Sequence, residues 1–415
     1  MAMVIKRDYY LQQLISSKSN NLIKIVTGIR RSGKSFLLFN LFHNHLIETG
    51  VSEDHIIEIA LDDRLNKNLR DPDVILQHIH ERIVDDKLYY IILDEVQMID
   101  EFTDVLNSLL HIRNADVYVT GSNSKFLSKD VVTEFRGRGD EIHLFPLSFA
   151  ELYNSLGGDK WELWKSYYTY GGLPGILALD GEKKKAAYLR SLHETVYLKD
   201  IIERNNLKNS EEFMELMRVM ASCIGSPCNP SKLEKTFKSV KNETLDRKTI
   251  SKYLSYMEDA FLIEKSMRYD IKGRKYIGTL SKYYFQDIGL RNALLNFRQV
   301  EENHIMENVI YNELRLRGFC VDVGMVETRT AKERKQLEVD FVANMADRRY
   351  YIQSAFAMPD DDKREQESAS LKRIDDSFKK IIIMRDDIKP YHDNNGFYIV
   401  GLMDFLLKPD LIEQL

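Results

Sequence analysis

The residues most able to do chemistry are Gly28-Ile29-Arg30-Arg31-Ser32-Gly33-Lys34-Ser35, which have the spacing G-x-x-x-x-G-K-S of a phosphate-binding loop. Glycine at these positions lets the backbone turn its N–H groups inward around phosphate oxygens. The loop then enters a helix N-terminus, whose partial positive charge favours an anion. In such a loop Lys34 reaches the β- and γ-phosphates and the Ser35 hydroxyl ligates Mg²⁺. The expected ligands are ATP and Mg²⁺, and the expected nucleotide contacts are Gly28, Arg30, Arg31, Ser32, Gly33, Lys34, Ser35 and Phe36.

A phosphate loop needs acids to hold the metal and to activate water. Tyr89-Tyr90-Ile91-Ile92-Leu93-Asp94-Glu95 supplies them as an apolar strand ending in two carboxylates. Asp94 is expected to hold Mg²⁺ through its water shell, and Glu95 to act as base for the attacking water. Further on, Val117–Thr120 leads into Gly121-Ser122-Asn123-Ser124. Asn123 or Ser122 suits a contact with the γ-phosphate or the water, and equally suits a plain polar turn. In Glu134-Phe135-Arg136-Gly137-Arg138, both Arg136 and Arg138 suit an arginine finger near the nucleotide edge, or a surface salt bridge.

These residues need a scaffold. Up to about residue 150, apolar runs at Ile23–Thr27, Ile56–Leu61, Tyr89–Asp94, Val117–Thr120 and Ile142–Phe145 alternate with helical stretches. That alternation predicts a parallel α/β sheet with acids and loop at its carboxyl edge. Residues 148–206 read as mostly helical. After residue 210 come helices and a short hairpin, then α/β pattern again from Ser281.

The chain has 415 residues, 44% hydrophobic and 30% charged, enough for several domains with buried cores. A net charge of −5 excludes a globally basic nucleic-acid binder, so any basic surface is local. Cys223, Cys228 and Cys320 make no zinc pattern and are expected to be free thiols. The pairs His43/His45 and His78/His80 lie two apart on helical segments and so face different ways, which argues against a metal site. The N-terminus lacks the apolar core of a signal peptide and no run is long enough to span a bilayer. A cytoplasmic protein without membrane contact is expected.

Taken in order, G-I-R-R-S-G-K-S, I-I-L-D-E-V-Q, T-G-S-N-S, F-R-G-R, F-P-L-S-F-A-E-L, G-G-L-P and T-V-Y-L-K-D-I resemble one large prokaryotic ATPase family. Its members pair an AAA+-type ATPase domain with a C-terminal domain of unknown function. The resemblance covers nearly the whole chain. It implies Lys34, Ser35, Asp94 and Glu95 as the catalytic core, Asn123 as a sensor, and a finger at Arg136 or Arg138. It also implies Mg²⁺ and a homo-oligomer, a ring or smaller.

In the second half, Ile250, Tyr253, Leu254 and Met257 share one helical face, Asp246 is placed to cap that helix and Pro230 to open an earlier one. The strand-like 261–269 and the basic turn Lys272-Gly273-Arg274-Lys275 follow. This is the order of a winged helix, and the resemblance agrees. Residues 228–275 carry 12 Lys and Arg against 7 Asp and Glu. Arg247, Lys248, Lys252, Arg274 and Lys275 are the candidate contacts to double-stranded DNA, against a reading as solvated lysines on a packing module.

Glu307 on a helix, Glu338-Val339-Asp340-Phe341 on a strand and Tyr351-Ile352-Gln353-Ser354-Ala355 on the next resemble the restriction-endonuclease-like fold. Active members carry Asp…Glu-x-Lys. Asp340 matches the first acid, but Gln353 and Ala355 stand where the glutamate and lysine belong, so a domain without cleavage activity is expected. The expected division is 1–147 ATPase core, 148–206 helical lid, 207–280 winged helix and 281–415 nuclease-like domain. The expected function is Mg²⁺-dependent ATP hydrolysis coupled to DNA binding, with a nucleotide-controlled switch that binds a protein partner as the alternative.

Overall fold

Isoleucine, valine and tyrosine build the strands that carry the phosphate loop. In the computed structural model, which describes residues 4–121, 137–241, 245–329 and 334–414, these strands are β1 (Ile23–Thr27), β2 (Ile56–Ala60), β3 (Tyr89–Asp94), β4 (Ala115–Thr120) and β5 (Gly139–His143). Ser122, Asn123 and Arg136 lie outside the described residues. All neighbouring strands are parallel, in the order β2-β3-β4-β1-β5. Successive side chains point to opposite faces. Ile23, Ile25, Ile57, Ile59, Ile91 and Leu93 join the core under the helices Pro72–Arg82 and Phe102–Leu109. Val26, Ile56, Tyr90, Ile92 and Tyr118 join a second core with Tyr10 and Leu14 of the helix Asp8–Ser16 and with Leu37, Leu38 and Phe42. Burial on both faces explains why these runs are mostly apolar, and the buried Lys24 of β1 is paired with Asp116 of β4.

The last strand begins and ends earlier than the expected Ile142–Phe145. Gly139, Asp140 and Glu141 pair with Ile23, Lys24 and Ile25, so β5 is an edge strand that backbone pairing defines more than hydrophobicity. Because β1 lies between β4 and β5, strand order reverses at its carboxyl end, which opens a crevice there for a ligand. This unit comprises Met1–Leu147 with Asp259–Phe261.

The second unit comprises Ser148–Glu258 and Leu262–Leu415. Its sheet runs β12-β13-β11-β10-β9-β8-β6-β7, with β6 Ile263–Asp270, β7 Lys275–Phe285, β8 Cys320–Arg329, β9 Arg334–Met345, β10 Arg348–Ala355, β11 Lys379–Met384, β12 Tyr391–His392 and β13 Tyr398–Gly401. The helices Ser210–Ser222, Pro230–Thr236 and Arg247–Asp259 precede the β6–β7 hairpin. Asp246 Oδ1 caps the last of these by accepting from the amides of Lys248 and Thr249 at 2.7 and 3.0 Å, and Ile250, Tyr253, Leu254 and Met257 are its buried face.

The hairpin expected as a wing is part of the large sheet. Arg268, Tyr269 and Asp270 of β6 pair in parallel with Val323, Gly324 and Met325 of β8. The expected boundary between residues 280 and 281 falls inside β7, whose buried Tyr283, Tyr284 and Phe285 carry the strand past it.

The Gly-Gly-Leu-Pro motif has a backbone role. Buried Asp287 accepts from the amides of Gly172 at 2.8 Å and Leu290 at 2.9 Å. Gly171 has φ 76°, and a Cβ there would sit 2.4 Å from Asp287 Oδ2, so only glycine lets the two segments approach.

Candidate active site

The phosphate loop is held open by three left-handed residues: Gly28 (φ 137°), Arg31 (φ 67°) and Gly33 (φ 99°). A Cβ on Gly28 would lie 2.2 Å from the Leu144 carbonyl oxygen, so this close approach requires glycine. Gly33 leads into the helix that begins at Lys34. The Ser32 hydroxyl is buried and has no hydrogen-bond partner among the described residues. A buried hydroxyl without a partner is costly, and an anion in the loop would supply one.

Lys34 is buried, and its ammonium donates to the carbonyls of Gly28 at 2.9 Å and Ile29 at 3.2 Å. Burial pulls it down to about 8, against the upward pull of Glu95 and Asp94. Of the other expected contacts, Arg30 is half-buried, while Arg31, Ser35 and Phe36 are exposed at the loop mouth.

The acids come from β3. Asp94 is buried at the strand end, and burial pushes its carboxyl above the usual carboxylate range, while hydrogen bonds from Thr120 and Ser35 oppose that rise. The structure thus brings Lys34, Ser35, Asp94 and Glu95 to one crevice. A serine hydroxyl beside a buried, under-compensated carboxylate is a hard oxygen donor set, and Mg²⁺ fits it.

Two supporting residues were not legible in the sequence. Thr120, the last residue of β4, donates its hydroxyl hydrogen to Asp94 Oδ1 and accepts from the Glu95 amide at 2.9 Å. The sequence shows only that it ends a strand-like run, not that this strand lies beside β3. Arg7 is buried and donates to the Ser32 carbonyl at 3.2 Å and the Phe145 carbonyl at 2.8 Å, with its guanidinium over the Tyr10 ring at 4.6 Å. It braces the loop from 25 residues upstream, and nothing in local spacing signals that.

Arg138 is not near the loop in its own chain, which corrects its expected place at the nucleotide edge. The Ile23 amide donates to the Arg138 carbonyl at 2.9 Å, so Arg138 lies at the amino edge of the sheet. The loop leaves the opposite edge, about 16 Å away along the five residues of β1. The Arg138 side chain is exposed and reaches Asn107 Oδ1 at 3.5 Å.

In the second unit, Arg247, Lys248, Lys252, Arg274 and Lys275 are all exposed. Arg247 pairs with Glu234 at 2.6 Å and Lys252 lies over the Tyr256 ring. Arg274 lies in the hairpin turn with φ 50°, and Lys275 opens β7, paired with Asp270 of β6.

Glu307, Glu338 and Asp340 converge, but around a lysine. Lys282 of β7 is buried and lies 2.8 Å from Glu307, 2.7 Å from Glu338 and 3.7 Å from Asp340. Tyr284 donates to the same Glu307 oxygen at 2.8 Å, and the Ser354 amide donates to Asp340 at 2.8 Å. Gln353 Oε1 faces the Asp340 amide at 3.4 Å. Burial beside Glu307 raises Asp340 to about 7, with Lys282 opposing. Sequence reading missed Lys282. Its signal was its place two residues before Tyr284, hence on the same inward face of the strand. Among the described residues, no group of three or more His, Cys, Asp or Glu is arranged to hold a metal ion.

Comparison with known proteins agrees with the loop and sheet. Residues 20–153 match the family described as "AAA domain", and residues 161–301 match "Domain of unknown function (DUF8612)". An uncharacterized protein of Haemophilus influenzae is 33% identical over 414 residues, covering 98% of this chain and 99% of its own. One from Methanocaldococcus jannaschii is 29% identical over 393 residues, covering 90% and 82%. The chain belongs to the AAA+ P-loop ATPase family whose members carry a C-terminal domain of unknown function. Solved structures that it resembles distantly include Aeropyrum pernix Orc1 in complex with DNA (13% identity, TM-score 0.30, covering 71% of this chain and 93% of that one). Another is Cdc6p from Pyrobaculum aerophilum (12%, TM-score 0.31, 74% and 97%). Among the described residues, no helix is long and apolar enough to cross a membrane.

Proposed function

We propose that the chain is a Mg²⁺-dependent ATP hydrolase. The observation that carries this reading is the convergence of Lys34, Asp94 and the Glu95 backbone, with Thr120 bonded to both acidic residues, at the carboxyl end of β1, β3 and β4. Lys34 would leave its loop carbonyls for the β- and γ-phosphate oxygens. Ser35 and Asp94 would hold Mg²⁺, which neutralises charge on those oxygens. Glu95 would take a proton from the attacking water. Arg138, placed at the far edge of its own sheet, suits a finger only toward a neighbouring copy, so a homo-oligomer belongs to this reading.

The second unit is proposed to couple hydrolysis to duplex DNA through Arg247, Lys248, Lys252, Arg274 and Lys275. Its nuclease-like centre is proposed not to cleave. Gln353 and Ala355 lack the required chemistry, and the Lys282 ammonium stands among the carboxylates where a nuclease would need a metal. Clear plasmid nicking with Mg²⁺ or Mn²⁺ that is lost in Asp340→Ala would overturn that part.

The deciding experiment is steady-state ATP hydrolysis by wild type, Lys34→Ala and Glu95→Gln, with and without duplex DNA at low salt. Turnover that falls on the order of 100-fold in Glu95→Gln supports the hydrolase. Stimulation by DNA, lost as salt rises, supports the coupling. Turnover indifferent to DNA moves the assignment to a nucleotide-controlled switch that binds a protein partner.

A further inference from the structure

Gln97 follows the second acid by two residues, and its side chain returns to the site. The return has a backbone cause. Glu95 takes φ 53°, ψ 47°, a left-handed conformation that costs a non-glycine residue about 1–2 kcal/mol. It ends β3 and starts a 3-10 turn, Val96–Met98, closed by the Met98 amide on the Glu95 carbonyl at 2.9 Å. Within that turn Gln97 Nε2 donates to Glu95 Oε2.

The amide cannot be turned over, because its oxygen would then face the carboxylate oxygen, two acceptors with no hydrogen between them. Gln97 Oε1 therefore points away from Glu95. It is buried and has no hydrogen-bond partner among the described residues. A buried carbonyl left without a donor costs about 1–3 kcal/mol, so this oxygen is built for a donor that arrives with the reaction.

The reaction supplies one. A water attacking phosphorus directs a lone pair forward and must place two hydrogens elsewhere. Glu95 accounts for one. We propose that Gln97 is a positioning residue for hydrolysis: its Nε2 fixes the Glu95 carboxylate and its Oε1 accepts the second water hydrogen. The inference rests on the hydrolase reading above. The water oxygen bonds to the γ-phosphorus as the bond to the β,γ-bridging oxygen breaks, with ADP as leaving group. One water proton passes to Glu95 and from there to product or solvent. The other stays on the oxygen, hydrogen-bonded to Gln97, which is neither protonated nor consumed.

The test compares full-length wild type, Gln97→Met, Gln97→Asn and Lys34→Ala in ATP hydrolysis, together with trapping of ADP by aluminium fluoride. Gln97→Met keeps length and removes both hydrogen bonds. The expected result is a kcat lower by about tenfold or more, a KM within about threefold of wild type, and lost trapping while ADP alone still binds. Gln97→Asn keeps the amide one methylene short and is expected to show the same split to a smaller degree. It carries the test should Gln97→Met fail to fold. A variant within twofold of wild type in kcat overturns the inference and leaves the hydrolase standing. So does a rise in KM at unchanged kcat, which would make Gln97 a nucleotide contact. Wild-type turnover no higher than Lys34→Ala overturns the hydrolase reading, and the inference with it.

Discussion

Thr120 ties the two acidic positions at the end of β3 together: its hydroxyl donates to Asp94 while accepting from the Glu95 backbone amide at 2.9 Å. One side chain on β4 thereby fixes both the orientation of Asp94, the acid proposed to hold the metal, and the left-handed turn that carries Glu95, the proposed base. Thr120→Val keeps the shape and removes both bonds. It leaves the Glu95 amide unsatisfied, a cost of about 1–3 kcal/mol. The expected result is a kcat lower by about tenfold and a weaker dependence of rate on Mg²⁺, with the fold intact by circular dichroism. Thr120→Ser, which keeps the hydroxyl, is expected to retain most activity.

Thr120 also marks where sequence reading stops. The loop 28–35 and the acids 94–95 are legible because each is a contiguous run whose spacing and flanking apolar residues carry the chemistry. The parallel sheet is legible for the same reason, since its inner strands are buried on both faces. Residues that act across pairings are not. Thr120 needs β4 to lie beside β3, Arg7 needs Phe145 to come within reach from 138 residues away, and Lys282 meets Glu338 only because β7 and β9 belong to one sheet. Pairing likewise moved β5 toward the amino side and merged the expected wing into the large sheet. Arg138 was misplaced because its strand begins earlier than hydrophobicity suggests.

Lys34 is expected to give nucleotide binding a pH dependence. In the free protein burial lowers its ammonium to about 8, and phosphate oxygens favour the charged form. Below that value the lysine is already protonated. Above it, binding must take up a proton, so ATP affinity is expected to fall as pH rises from 8 to 10. Titration of a fluorescent ATP analogue across that range measures it. Lys34→Arg stays charged throughout and is expected to show a flatter profile, whatever its affinity at pH 7.

Gly28 and Leu144 are in such close approach that the smallest side chain is excluded. A Cβ at residue 28 would lie 2.2 Å from a backbone oxygen, and φ 137° is itself unfavourable for any other residue. Gly28→Ala must therefore move the start of the loop or the end of β5. Nucleotide affinity is expected to fall by about tenfold or more, with a lower melting temperature, by calorimetry with and without ATP.

Asp340 supplies the sharpest stability test of the second unit. Its carboxyl is raised to about 7 by burial and by Glu307, despite Lys282. The unfolded chain returns it to the ordinary range near 4. Between those values the folded state binds more protons than the unfolded one, so this group's contribution is full below about pH 4 and is lost as pH rises through 7. Asp340→Asn removes the titration. The expected outcome is that the wild-type urea midpoint loses stability between pH 5 and 8 relative to Asp340→Asn, so that the two curves converge or cross. Lys282→Met changes the cluster in the opposite sense. With the internal cation gone, Glu307, Glu338 and Asp340 repel one another, and breaking a buried pair costs about 3–5 kcal/mol. Its loss of stability is expected to be largest at high pH and to shrink on acidification. Parallel pH curves for wild type and Asp340→Asn would mean that Asp340 does not titrate in this range and that Lys282 alone balances the cluster.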